Sequence, residues 1–144
     1  MRIIKKVLSL SLTLCMLLSL CGFIPGNVAY ASDDIADIKN EIINVNGYDV
    51  SVTLYVDGDV TFTAGSDYII DKAQLTVTVY YKDSAGKTYT KDYGTQSFSI
   101  MYNAVYEMPS SFYDILANYQ VYKVKGVAKI NKKGVTSTST LTIQ

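Results

Sequence analysis

"VYKVKGVAKINKKGVTSTSTLTI", residues 121–143, runs through two successive stretches in which side chains of two kinds alternate. Alternation with a period of two marks strands with one face buried. The residues Asn131-Lys132-Lys133-Gly134 between the stretches predict a four-residue hairpin loop. In that register Tyr122, Val124, Gly126, Ala128 and Ile130 face Ile143, Leu141, Ser139, Ser137 and Val135 on an inner side. Lys123, Lys125 and Lys129 point the other way, beside Thr142, Thr140 and Thr136. Gly126, with small Ala128, Ser137 and Ser139 around it, leaves a hollow that a large ring from an opposite sheet would fill.

The same alternation extends back through the chain. Val50, Val52, Leu54 and Val56 alternate with polar neighbours, and so do Leu75, Val77, Val79 and Tyr81. Further strands are expected at 38–45, 59–64, 87–93 and 96–102. Residues facing each other across a hairpin share a face, so parity restricts the turns. A three-residue loop at Asp57-Gly58-Asp59 places Val56 by Val60 and Leu54 by Phe62. Ser84-Ala85-Gly86, with glycine where a left-handed residue is needed, pairs Tyr81 with Tyr89 and brings Lys91 near Val79. In "PSSFYDILANY" the apolar Phe112, Ile115, Leu116 and Tyr119 recur at helical spacing, which predicts a short helix near residues 110–119 that closes one end of the sheets. Seven to eight strands with one helix fit an all-β fold, an immunoglobulin-like antiparallel β-sandwich, with a small β-barrel as the alternative.

Residues 1–31 read as a secretory signal peptide: Arg2, Lys5 and Lys6, then an apolar run, then Ala29 and Ala31 before Ser32. Residues 32–144 then form a single domain, secreted and without a further membrane span. The alternatives are an uncleaved anchor, and lipidation at Cys21, where large Leu20 departs from a lipobox. Cleavage at Ser32 removes both cysteines and leaves 10 basic against 13 acidic side chains. That balance gives no reason to expect nucleic acid. Export without cysteine suggests a bacterial, Gram-positive source.

Histidine is absent from the chain, and cysteine is absent after residue 31. Thiol nucleophiles, histidine-based triads and the usual zinc or copper sites are thereby excluded from the exported part. Paired carboxylates could still act as acid and base, yet the aspartates fall mostly at turns, where short side chains bond to local backbone. Asp57 and Asp59 could offer calcium two ligands, an incomplete site for an ion that takes six to eight oxygens. No catalytic residue, metal site or cofactor is assigned.

Two surface features remain as ligand-binding candidates. Lys123, Lys125 and Lys129, extended by Lys132 and Lys133, form a basic strip that could attract anionic polymer. The competing reading is a solvated strand face that discourages aggregation. Tyr55 and Tyr80 fall on the polar phase of their strands and could offer a stacking platform, or serve simply as good strand formers. The leading expectation is a non-catalytic binding or adhesion module acting on cell-envelope polymer, glycan or protein. A secreted effector (small toxin or enzyme inhibitor) and a carboxylate-based hydrolase are the alternatives. Intact-mass measurement of the exported protein should show a chain beginning at Ser32, and a mass carrying acyl chains on Cys21 would contradict that expectation.

Overall fold

The computed structural model describes residues 35–144, so Ala29, Ala31, Ser32 and both cysteines lie outside the described residues. Along the chain run β1 (Ala36–Val45), β2 (Tyr48–Asp57), β3 (Val60–Lys82), β4 (Thr88–Tyr106), α1 (Ser111–Asn118), β5 (Gln120–Lys132) and β6 (Val135–Ile143). Every stretch expected as a strand is one to within a residue, Asp59 and Lys87 lying just outside. The count drops to six because 59–64 and 75–81 fuse into β3, and 87–93 and 96–102 into β4.

All pairings are antiparallel, in the order β1-β2-β3-β5-β6, with β4 added against β3. Residues 62–65 of β3 are flanked by β2 and β4, whereas 72–82 are flanked by β4 and β5. β3 and β4 therefore make one long ribbon shared by two half-sheets. A register shift between Gly65 and Ile70 marks the bend, where the inward phase passes from Phe62 and Ala64 to Ala73, Leu75, Val77 and Val79. Such a shift lets a strand turn a corner and keep its apolar residues on the concave side. The bend is sharp enough for the Tyr106 hydroxyl to donate to the carbonyls of Tyr93, at 2.9 Å, and Gly94, at 3.1 Å, in the same strand.

At the far side β1 meets β6 through side chains: Ser139 Oγ donates to the Glu41 carboxylate and Ser137 Oγ to the Asn44 carbonyl at 3.2 Å. The sheet is thus nearly closed, and the strand order fits the small-barrel alternative.

The expected turns at Asp57-Gly58-Asp59 and Ser84-Ala85-Gly86 are present, with Leu54 opposite Phe62, Tyr81 opposite Tyr89 and Val79 opposite Lys91. The last hairpin is tighter than expected. Lys133 (φ 49°) and Gly134 (φ 79°) alone make the turn, Lys132 pairs with Val135, and Ile130 with Ser137. Two positive φ angles are those of a type I′ turn, whose twist matches that of the flanking strands. The change moves each partner by two residues and leaves every face unaltered, so Leu141 now lies opposite Gly126 and Ser139 opposite Ala128. A second correction concerns Tyr122. An irregularity beside Tyr80 and Tyr81 puts Val121 inward in its place.

The barrel interior holds Val52, Leu54, Phe62, Leu75, Val77, Val79, Val124 and Ile130, all without solvent exposure. α1 closes one end, burying Phe112 and Ile115, with the Phe112 ring edge-on to Tyr93 at 6.1 Å. The hollow at Gly126 is occupied. A Cβ placed there would lie 2.8 Å from the Cε2 and Cζ atoms of Phe62, which comes from the other half-sheet. Gly126→Val should therefore lower stability by about 1–3 kcal/mol, the usual cost of overfilling a packed core, and adding Phe62→Leu should recover part of that loss; an unchanged melting temperature in the single variant would contradict this packing.

Candidate functional site

Three expected basic residues lie on the outer face of the second half-sheet. Lys123 stands opposite Tyr80, with Nζ 4.7 Å from the ring centroid, within reach of a cation–π contact. Lys125 lies between Thr78 and Thr142, and Lys129 between Gln74 and Thr138. The first two are half-buried and Lys129 is exposed. Tyr122, displaced from the core, tilts against Tyr80 at 6.5 Å. Half of an aromatic and basic surface is thus assembled on one face.

Tyr55 does not join it. It lies on the first half-sheet between Ile38 and Thr61, and its hydroxyl donates to Asp57 Oδ2 at 2.9 Å. That bond, followed by the nearby negative charge, raises the Tyr55 pKa. A platform shared by Tyr55 and Tyr80 is not formed, because the ribbon bend sends the two residues to different half-sheets.

Lys132 and Lys133 are held in the structure of the turn. Lys132 Nζ donates to the Ile69 carbonyl and lies 3.4 Å from Asp71 Oδ1. The Lys133 backbone N–H donates to Asp71 Oδ2 at 2.6 Å, and its ammonium to the Tyr48 hydroxyl at 3.0 Å. Both ammonium groups sit about 5 Å from the Tyr48 ring centroid, and Tyr68 packs edge-on against that ring. The hydrogen bond from Lys133 lowers the Tyr48 pKa and raises that of Lys133. The sequence placed these lysines in a free basic strip; the cluster instead fastens the last hairpin to the ribbon bend and to the β1-β2 turn.

The carboxylates at the expected turns are engaged locally. Asp59 Oδ1 accepts the Val60 N–H at 2.7 Å, and the Asp59 carboxylate accepts the Tyr113 hydroxyl from α1 at 3.3 Å. Asp83 accepts N–H bonds from Ala85 and Lys87 and the Tyr89 hydroxyl at 3.0 Å; the Lys87 N–H is the largest cause of its lowered pKa. Among the described residues no three carboxylates gather.

A feature absent from the sequence reading lies on the outer face of the first half-sheet. Ile42, Ser51, Gly65 and Asn103 occupy one cross-strand row over β1, β2, β3 and β4. Gly65 has no side chain and the Asn103 carboxamide lies over it, and between the exposed Ile42 and Tyr102 the face carries an open groove of about 460 Å³. Asp49, Ser66 and Asp67 line its end. The Asp49 carboxylate accepts the Asn44 amide at 2.8 Å, Ser66 Oγ donates to the Asp49 carbonyl at 2.7 Å, and Ser51 Oγ accepts the Asn40 amide at 2.9 Å. The side chains of Asp67, Tyr102 and Asn103 hydrogen-bond to nothing among the described residues. Sequence could have flagged this site only through Gly65, which interrupts the alternation of a strand.

No protein-family model matches the chain, and no curated protein matches it.

The Asp71 carboxyl is held below its ordinary value of 3.8, chiefly by the Lys133 N–H. A depressed carboxylate pKa stabilises the fold above the unfolded value, and the gain is lost as pH falls through the folded one. Asp71→Asn should thus lower the melting temperature near neutrality, with the gap to the parent narrowing as pH drops below 3.8; a gap that stays constant across that range would contradict this role.

Proposed function

We propose that the protein is a secreted, non-catalytic binding module that acts by surface contact on cell-envelope polymer, glycan or another protein. The observation that carries this reading is the outer face of the second half-sheet. Lys123, Lys125 and Lys129 form one row there, and Lys123 lies over Tyr80 with Tyr122 beside it. An ammonium already seated on an aromatic face is pre-ordered, which reduces the entropy lost when a ligand engages it. Cations spaced along a flat strand suit an extended anionic polymer. Under the same proposal the two halves of the bent sheet act as the layers of an immunoglobulin-like sandwich, each offering its outer face; that analogy concerns the fold and not the ligand.

A carboxylate-based hydrolase draws on one observation, that Asp49 and Asp67 line the same groove. Both are exposed on an open groove instead of converging in a closed cleft, as a working carboxylate pair does. Surface binding therefore remains the better account.

Retention of the exported protein on envelope from its producing organism tests the proposal. Replacing Lys123, Lys125 and Lys129 together by serine should weaken retention in low salt, and added salt should weaken the parent in the same direction. Equal retention of parent and variant in low salt would contradict the role given to this face.

A further inference from the structure

The groove on the first half-sheet has the opposite chemistry to the lysine face. We infer that the groove floored by Gly65 and Ser51 and flanked by Ile42 and Tyr102 binds a neutral saccharide, with Asp67 and Asn103 as its polar contacts. The inference rests on the reading of the protein as a secreted binding module and assigns it a second surface.

Size and shape come first. A space of about 460 Å³ falls within the ~300–1,000 Å³ range of small-ligand sites. It is shallow and open, so a chain longer than the groove can lie across it. Its floor is built from neighbouring residues of paired strands, and over Gly65 it is covered by the Asn103 carboxamide, whose Oδ1 lies 3.0 Å from where a Cβ would stand.

The chemistry of the walls then selects the ligand. Tyr102 is 58% exposed and Ile42 68% exposed, an apolar surface that water covers at a cost. A pyranose ring has one face of C–H groups suited to an aromatic ring, and hydroxyls at its edge suited to carboxylate and amide. Asp67, Tyr102 and Asn103 keep their hydrogen-bonding capacity unused within the protein, and Ser51 accepts from Asn40 while its own proton stays free to donate. A wholly apolar occupant would strip water from these groups and leave them unpaired. Asp49 and Asp67 set a negative potential and no basic side chain lines the groove, which disfavours phosphate-bearing or uronic polymers. A neutral polyhydroxyl ligand satisfies both the apolar flanks and the polar contacts. A basic peptide is the competing occupant.

Titration of the secreted protein, followed by backbone amide NMR, distinguishes these ligands. The probes are neutral gluco-, chito-, xylo- and manno-hexasaccharides, a hexagalacturonate and a hexalysine peptide. At least one neutral hexasaccharide should shift the amides of Gly65, Ser66 and Asn103. Tyr102→Ala should then weaken its binding at least tenfold and Asp67→Asn at least threefold, while serine at positions 123, 125 and 129 leaves it unchanged. Both groove positions are exposed, and retained dispersion of the amide spectrum shows that the variants fold. The inference is overturned if no neutral probe moves these amides, if Tyr102→Ala binds as the parent does, or if only hexalysine or hexagalacturonate moves them. Envelope retention is read separately: failure of the parent to be retained overturns the binding-module reading, whereas retention that is unaffected by Tyr102→Ala, with no sugar response, overturns the groove alone.

Discussion

The Phe62 ring lying on Gly126 is the contact on which the rest of the architecture depends. Phe62 belongs to the half-sheet made with β2, and Gly126 to the half-sheet made with β5. Their approach holds the two concave faces at the spacing that Leu54, Leu75, Val79 and Ile130 then fill. Burying a phenylalanine side chain contributes about 1.5–3 kcal/mol, and here the benefit requires a residue without a side chain on the opposite strand. The bend at 65–70 brings Phe62 round to meet it, and the Tyr106 hydroxyl, bonded across β4 to Tyr93 and Gly94, fixes how far the ribbon folds.

Closure by a bent ribbon has a consequence for the surface. A single sheet curled in this way presents two outer faces in different directions, built from different stretches of chain. One carries Lys123, Lys125 and Lys129 with Tyr80, and the other carries the groove between Ile42 and Tyr102 with its two aspartates. Their charges are opposite, so a charged ligand drawn to one by electrostatics is disfavoured at the other. The Asp71, Lys132, Lys133 and Tyr48 cluster joins the last hairpin to the bend, and so connects the scaffold of one face to that of the other.

Much of this was legible in the residues because the strand period is two. The expected four-residue loop at Asn131 to Gly134 was too long by two, yet Lys123 and Val124 kept their faces, since an even error moves partners without inverting them. A Lys-Gly pair lacks the Asn or Asp that advertises a two-residue turn, which is why Lys133 with its positive φ was not foreseen. The fusion of 59–64 with 75–81 was hidden because the alternation changes phase at the corner, where the register shifts between Gly65 and Ile70. The hollow at Gly126 was visible as a size mismatch, whereas the identity of Phe62 depended on the bend. The groove was invisible for a similar reason. Its row spans four strands, and the register joining Ile42 to Asn103 runs through three separate pairings.

The most direct test of the central contact is a proton NMR experiment on the folded protein. Nuclear Overhauser effects should connect the Phe62 ring protons to the Gly126 α protons, and those α protons should be displaced upfield by the ring current. Gly126 α protons at ordinary strand shifts, with no cross-peak to Phe62, would contradict the account.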